Sequence, residues 1–352
     1  MALQNRPVET LLLPCDEAGL AEAARLVLAG EPVAVPTETV YGLAADATNE
    51  AAVARIYEAK GRPSFNPLIV HVADLAQAES TGRFDAAARA LAQRWWPGPL
   101  TLVVPLRPDA GIAKAVTAGL GTVALRCPAH PAMQALLRAC GRPLAAPSAN
   151  ASGTISPTSA GHVLKTLGGR IALVLDGGET ARGLESTIVK VDEDGLRLLR
   201  PGPVSFAELQ DSPPWQGGAG GGSAEGGPNA EPGARAALAT HPQPLPSREG
   251  SVEAPGQLAS HYAPSKPLRL EAAAPDPDEW YIGFGPMAAD DSLSERGNLD
   301  EAAARLFAAL HRADASPKPR IAVAAVPAHG IGLAINDRLR RAAAPREERS
   351  CR

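Results

Sequence analysis

The chain has 352 residues, a formal net charge of −4 and 45% hydrophobic residues, and only 4% of it is aromatic. That length is too great for one ordinary core and fits two domains with a connector. The near-neutral balance leaves no global electrostatic footprint for nucleic acid, so a basic patch has to be argued locally.

Cys15, Cys127, Cys140 and Cys351 lie far apart and form no C-x-x-C pair. This argues against a disulfide framework or a zinc site and fits a reducing compartment. The opening MALQNRPVETLLLP has three consecutive leucines, too few for a signal h-region. No stretch approaches the ~18 apolar residues of a membrane span. The expected location is the cytoplasm, with no membrane partner.

Asp16 to Ala29 carries a helical pattern, with Leu20, Ala24, Val27 and Leu28 on one side and Gly30 as the stop. PVAVP (32–36) reads as a short buried strand. Asn49 is placed to cap a helix bearing Val53, Ile56 and Tyr57, which Gly61 ends. PLIVHV (67–72), TLVVPL (101–106), TVALR (122–126), IALVLD (171–176) and STIVKV (186–191) are strand candidates, with helices at 84–95, about 130–140 and 157–167. The alternation predicts an α/β domain over 1–210, its helices covering a largely buried sheet.

Over 211–255 Gly and Pro crowd the sequence and apolar periodicity vanishes, the composition of a flexible linker or insert. A second linking segment, 256–266, leads into a small β-α-β-α unit over 267–344. That unit comprises EWYIGF, a helix at 300–313 with Ala303, Leu306, Phe307 and Leu310 on one face, IAVAAVP, and a last helix around 332–343. A tail at 345–352 is expected to be disordered.

Signatures of well-known phosphate and acyl sites are missing. The chain has no Gly-Lys pair for a Walker A loop and no G-x-S-x-G elbow. Gly283-Phe-Gly285-Pro-Met-Ala288 follows a strand, but Pro286 interrupts it and the next helical pattern starts near Asp300. Its amides are therefore not expected to converge on a pyrophosphate.

Polar residues that interrupt apolar runs carry more. VPTETVYGL (35–43) sets Thr37, Glu38 and Thr39 just after a strand, and KGRPSFNP (60–67) supplies Lys60, Arg62, Ser64 and Asn66. His71 breaks LIVHV, and APSANASGTISPT (146–158) gathers Ser148, Asn150 and Ser156 in one loop. Ser186 opens a strand, and Arg126 and Arg200 close two others. Singly, each has an ordinary reading as solvated charge, core histidine or turn chemistry. Together, the four cations suit a polyanion, while the hydroxyl and amide groups can hold phosphate, ribose or a small zwitterion without adding charge. No nucleophile with a paired base appears, so the chemistry would rest on positioning and charge stabilisation. A nucleotide-dependent transferase fits that inventory better than a hydrolase, although spacing alone does not bring these residues to one place.

PTETVYGL, KGRP..NPLIVHV, WPGPLTLV (96–103), the VALR strand, APSAN.SG..SPT, ESTIVKV and LLRPG resemble, in family order over roughly 10–206, the YrdC-type threonylcarbamoyl-AMP synthases. GQLASHYAP (256–264) and GLAINDRLRRAA (332–343) resemble the linker and the end of the C-terminal domain in the two-domain version. The Gly/Pro-rich stretch is longer than the family pattern and the C-terminal domain shorter.

The resemblance implies a twisted mixed sheet around a large basic cavity, a small Rossmann-like C-terminal domain, and synthesis of threonylcarbamoyl-AMP and pyrophosphate from L-threonine, bicarbonate or CO2 and ATP. Mg²⁺ would arrive with ATP, with no direct protein ligands. The product would feed a tRNA threonylcarbamoyl-transfer machinery, with tRNA contact not required. By the same resemblance Lys60 and Arg62 are the catalytic cations. They hold ATP together with Asn66, Thr122, Ser148, Asn150, Ser156, Arg200 and Tyr262, the last on a linker that folds over the cavity. Thr39, His71, Arg126 and Ser186 hold threonine.

Two rivals remain. A carbamoyltransferase of the hydrogenase-maturation type shares the YrdC-like domain but adds an acylphosphatase-like region and Cys-rich zinc fingers, for which no C-x-x-C exists here. A non-catalytic RNA-binding module is disfavoured by the charge balance and by the scarcity of aromatic side chains on which bases stack.

Overall fold

A computed structural model describes residues 9–192, 195–211, 252–257 and 260–345. The body of the expected linker, 212–251, and the tail beyond 345 lie outside the described residues, as does Cys351.

The first domain runs β1 (Leu11–Pro14), α1 (Glu17–Leu28), β2 (Val33–Val35), β3 (Gly42–Asp46), α2 (Glu50–Lys60), β4 (Ile69–His71), α3 (Leu75–Thr81), α4 (Ala86–Trp95) and β5 (Leu100–Pro105). It continues through α5 (Lys114–Thr117), β6 (Thr122–Arg126), α6 (Pro131–Cys140), β7 (Leu144–Ala145), α7 (Ala160–Leu167), β8 (Leu173–Asp176), β9 (Thr187–Asp192), β10 (Gly195–Arg200) and α8 (Phe206–Gln210). Its strands form one ten-stranded mixed sheet in the order β1-β8-β2-β3-β7-β4-β6-β5-β9-β10. The second domain has β11 (Leu268–Arg269), β12 (Glu279–Gly283), β13 (Asp291–Ser292), α9 (Leu299–Ala315), β14 (Arg320–Val323) and α10 (Gly332–Ala343). Its four strands are all parallel, ordered β11-β14-β12-β13.

Local chemistry sets the element ends. Asn49 Oδ1 accepts from the amides of Ala51 and Ala52 at the head of α2, and Gly61 closes it in the left-handed conformation at φ 58°. Strand pairing then sorts side chains between the two faces of the sheet. Val70, Leu125, Ala45 and Ala145 point into the main core beneath α2 and α4. Register places Ile69 beside Ala124 and His71 beside Arg126, so these four share the opposite face. Around β2, β3 and β8 that face is covered by α1 and α6, through Ala23, Val27, Met133 and Leu137. Around β4, β6 and β9 the cover is different: Ala254 packs on Ile69, Ala124 and Ile188.

The second domain docks on the first through a shared apolar cluster in which Val40, Ile155 and Leu184 meet Leu306, Phe307 and Leu310. Polar contacts flank it. His162 on α7 stacks on His311 of α9, with ring centroids 3.7 Å apart, and Lys165 pairs with Asp314 at 3.2 Å. Among the described residues, no helix is long and apolar enough to cross a membrane.

The elements absent from the sequence reading are short or weakly β-forming: β1 at the sheet edge, β3 (GLAAD), two-residue strands, and α3, α5 and α8. The β-α-β-α unit gains β11 and β13. The stretch from Gly283 to Ala288 leads not into a helix but into a turn whose Gly285 amide donates to the Ser294 carbonyl.

Gly183 has φ 65°, and a Cβ there would lie 2.2 Å from the Ala304 carbonyl oxygen on α9. Gly183→Ala should cost about 2 kcal/mol or more through left-handed strain plus overpacking. Chemical denaturation checks this, and an unchanged midpoint would contradict the close approach.

Burial pulls His162 down to about 4 and His311 to about 3. In the unfolded chain both titrate near ~6.5. As pH falls, the unfolded state takes up protons first, so stability is full above ~6.5 and lost progressively toward the folded values. His162→Gln should flatten that slope in pH-dependent melting; an unaltered slope would contradict a neutral buried pair.

Candidate active site

The hollow opens on the sheet face that α1 and α6 leave to other cover. His71 ends β4 and Arg126 ends the neighbouring parallel strand β6. Ser186 immediately precedes β9, and a register shift between Leu198 and Arg200 at the end of β10 re-aims Arg200 across it. The turn after β2 brings in Thr37 and Thr39, and the loop after β7 brings in Ser148. The hollow is thus lined by Thr37, Thr39, Arg62, His71, Arg126 and Ser148, together with Glu185, Ser186, Arg200, His261 and Tyr262.

Each cation there is buried and held by a fixed set of oxygens. Arg62 donates from Nε to the Asn66 carbonyl at 3.1 Å and from Nη2 to Asn66 Oδ1 and the Pro67 carbonyl, both at 2.7 Å. Burial pulls its pKa down to about 10. Arg200 donates from Nε and Nη2 to the Ser186 carbonyl, at 3.1 and 3.0 Å, and from Nη2 to Ser186 Oγ at 3.1 Å.

Arg126 reaches the Gly98 carbonyl, Thr39 Oγ1 at 2.9 Å and the Glu38 carboxylate at 2.7 Å, each through a different nitrogen. A guanidinium has five N–H donors, so at least one N–H on each terminal nitrogen remains for a ligand. Burial pushes the Glu38 carboxyl up, but the charge and hydrogen bond of Arg126 outweigh it and leave its pKa below the ordinary value. His71, beside Arg126, is pulled down to about 3 by burial first and by that guanidinium second. It is a neutral imidazole at physiological pH, and its Nδ1 has no hydrogen-bond partner among the described residues.

Nine of the residues read from sequence meet here, Thr37 among them; the others stand behind the wall or away from it. Lys60 does not line the hollow, contrary to the expectation that Gly61 and the prolines aim it there. Its buried ammonium donates to the Ser148 and Asn150 carbonyls, so it braces the loop that presents Ser148. Burial and the neighbouring Arg62 hold its pKa well below the usual lysine value. Asn66 acts through Arg62, and Asn150 spends its amide on the Ala151 and Thr154 carbonyls. Ser156 donates to Glu185 at 2.5 Å. Thr122 opens β6 opposite Pro105, at the far end of the strand from Arg126, and is not brought to the site.

The roles of three contributors escaped the sequence reading. Glu38 stands beside Thr37 and Thr39 in the turn that the sequence singles out but carries no signal of its role there, and Glu185 sits inside a quoted motif as a lone Glu with no signal of its own. Arg338, on α10, reads as surface charge.

The linking segment closes the hollow. His261 N–H donates to the Arg341 carbonyl and Ala263 N–H to the Gly153 carbonyl, so both domains grip it. Between them Tyr262 adopts φ 64°, the left-handed region that a bulky residue rarely enters, and only 1% of its surface is exposed. The free volume left is about 40 Å³, against ~300 Å³ or more for a typical ligand pocket. Among the described residues, no group of three or more His, Cys, Asp or Glu side chains could hold a metal ion.

Residues 25–202 match the Sua5/YciO/YrdC family, described as telomere recombination. Residues 231–344 match the Sua5 C-terminal family, described as threonylcarbamoyl-AMP synthase, C-terminal domain. The chain is 40% identical to a threonylcarbamoyl-AMP synthase of Bacillus subtilis, with 95% of each chain covered. It is 38% identical to that of Pyrococcus abyssi, covering 91% of this chain and 92% of the relative. The crystal structure of P. abyssi Sua5 complexed with L-threonine superposes with a TM-score of 0.80 at 36% identity, over 95% of this chain and 98% of that one. With both domains matched in order, and relatives of this identity spanning nearly the whole length, the chain belongs to the Sua5-type threonylcarbamoyl-AMP synthase family.

Proposed function

We propose that the hollow joins L-threonine, bicarbonate or CO2, and MgATP into threonylcarbamoyl-AMP and pyrophosphate. The observation that carries this reading is the convergence of Arg62, Arg126 and Arg200 with Thr39, His71 and Ser186 around one space. Arg126 offers its remaining N–H pair to the amino-acid carboxylate, a planar fork matched to two oxygens. Thr39, His71 and Ser186 give neutral polar contacts for the amine and side-chain hydroxyl. The P. abyssi relative crystallised with L-threonine supports that half of the site.

The threonine amine and CO2 form a carbamate, a weak nucleophile. Its oxygen attacks the α-phosphorus while the bond to the pyrophosphate oxygen breaks and negative charge gathers on the leaving group. Arg62 and Arg200 are fixed before the substrate arrives, so they stabilise that charge without reorganising. Ser148 adds a hydroxyl contact, and Lys60, Asn66, Asn150 and Ser156 keep the wall in shape. Mg²⁺ enters as part of the substrate MgATP. The activated carbamate is suited to onward transfer to adenosine of tRNA by a separate machinery, and the first step itself uses no tRNA.

Incubation with MgATP, threonine and bicarbonate should release pyrophosphate only when threonine is present. Release independent of threonine would reject the reading, and salt-sensitive RNA binding without turnover would favour the binding module.

Arg126→Lys should raise the KM for threonine about tenfold or more while leaving that for ATP within a few-fold. Arg62→Ala should lower the rate by about a hundredfold. Equal effects on both substrates from both variants would contradict the division of the hollow.

A further inference from the structure

The last helix contains a charge whose environment its sequence disguises. In DRLRRAA, Asp337 and Arg341 sit one turn apart like an ordinary solvated ion pair. Between them Arg338 is 0% exposed, although it belongs to the second domain and does not line the hollow. Its Nε donates to Glu185 Oε2 at 3.0 Å, and its Nη1 donates to the Pro201 carbonyl at 2.8 Å and to Asp337 at 2.9 Å. Its guanidinium carbon stands 5.4 Å from the centre of the Tyr262 ring. One side chain therefore crosses the domain boundary and touches the residue before Ser186, the residue after Arg200, and the linker tyrosine.

Glu185 is the group that makes this matter. Among the described residues it is the one carboxylate in the wall of a hollow otherwise lined by three guanidiniums and neutral side chains. Its other oxygen accepts from Ser156 Oγ at 2.5 Å, so the carboxylate is fixed and cannot swing away. An unneutralised negative charge there would repel a triphosphate and would be costly to bury. Asp337 does not depend on Arg338 in the same way, because Arg341 Nε and Nη2 also reach it at 3.1 and 3.0 Å. Loss of Arg338 leaves one buried carboxylate unbalanced, and that carboxylate faces the site.

We propose that Arg338 is a positioning residue for nucleotide binding: from the second domain it cancels the charge of Glu185 in the wall of the hollow and fixes Tyr262 against its guanidinium. The inference rests on the reading of the hollow as a MgATP site. It gives the second domain a task inside the reaction, that of completing the electrostatics of a pocket it does not line. A purely structural Arg338 would instead hold the domains together without regard to the sign of Glu185.

The two roles separate by charge matching in the full-length protein. MgATP binding without threonine is measured by calorimetry, and KM for each substrate by pyrophosphate release, in wild type, Arg338→Met, Arg338→Lys and the double variant Glu185→Gln/Arg338→Met. Arg338→Met should weaken MgATP about tenfold or more and threonine less than about threefold. Arg338→Lys, which keeps the charge but not the fork, should lose less. The double variant should regain most of the lost MgATP affinity, because no charge is left unbalanced. A double variant as weak as Arg338→Met, or equal weakening for both substrates, would overturn the proposal. Should Arg338→Met not fold, loss of MgATP binding in a folded double variant overturns it equally, and retention supports it. Wild type that binds MgATP but releases no threonine-dependent pyrophosphate would count against the assigned reaction and not against the role of Arg338.

Discussion

Four guanidiniums, Arg62, Arg126, Arg200 and Arg338, are withdrawn from water on one side of a β-sheet, and most of the local architecture is what it takes to keep them there. A buried cation is tolerable only when fixed oxygens replace its hydration. Here these are the Asn66 and Pro67 carbonyls for Arg62, the Ser186 carbonyl for Arg200, Glu38 with Thr39 for Arg126, and Glu185 with Pro201 and Asp337 for Arg338. Removing one member of such a pair costs about 3–5 kcal/mol, because the remaining charge stays buried. The same arrangement that makes the site costly makes it useful. Donors held in place in a low-dielectric cleft interact strongly with a phosphate or a carboxylate that replaces water there.

The two domains divide this labour unequally. Strand register in the first domain sets His71 beside Arg126, and the irregularity in β10 turns Arg200 toward Ser186. The second domain contributes no lining residue among those described, yet its α10 reaches the site through Arg338 and its α9 through the His311 contact with the Ser156 carbonyl. The linking segment lies between them, with Tyr262 against Phe307 and Arg338 and also in the lining of the hollow. Tyr262 accordingly belongs at once to the apolar seam between the domains and to the polar wall of the site. Loosening the seam and changing the site are therefore not independent events.

Much of this was legible in the sequence where a strong local pattern coincided with the final structure. The capped helix from Asn49 to Gly61 and the apolar strands around His71 and Arg126 declare themselves through turn chemistry and periodicity. GLAAD declares little, because β3 is held by its neighbours and not by β-branched side chains. The cations were found because each closes an element, but their aim was not. Lys60 and Arg62 stand two residues apart, yet only the latter faces the hollow, a distinction made by the loop carbonyls of Ser148 and Asn150 that no spacing encodes. Thr122 shares a strand with Arg126 and sits at its other end. Glu185 and Arg338 gave no signal at all, and Glu38 none of its pairing with Arg126, since a single charge in a turn or on a helix looks solvated until the fold buries it. Pairing across 153 positions, as between Glu185 and Arg338, is a property of the tertiary structure alone.

The central claim is that these separated charges form one site for two anionic groups. A crystal structure of the protein with L-threonine and a non-hydrolysable MgATP analogue tests it most directly. The amino-acid carboxylate is expected on the terminal nitrogens of Arg126, and the phosphates between Arg62 and Arg200 with Tyr262 displaced or stacked at the rim. Both ligands bound elsewhere, with Arg62, Arg126 and Arg200 contacting only protein oxygens, would contradict it.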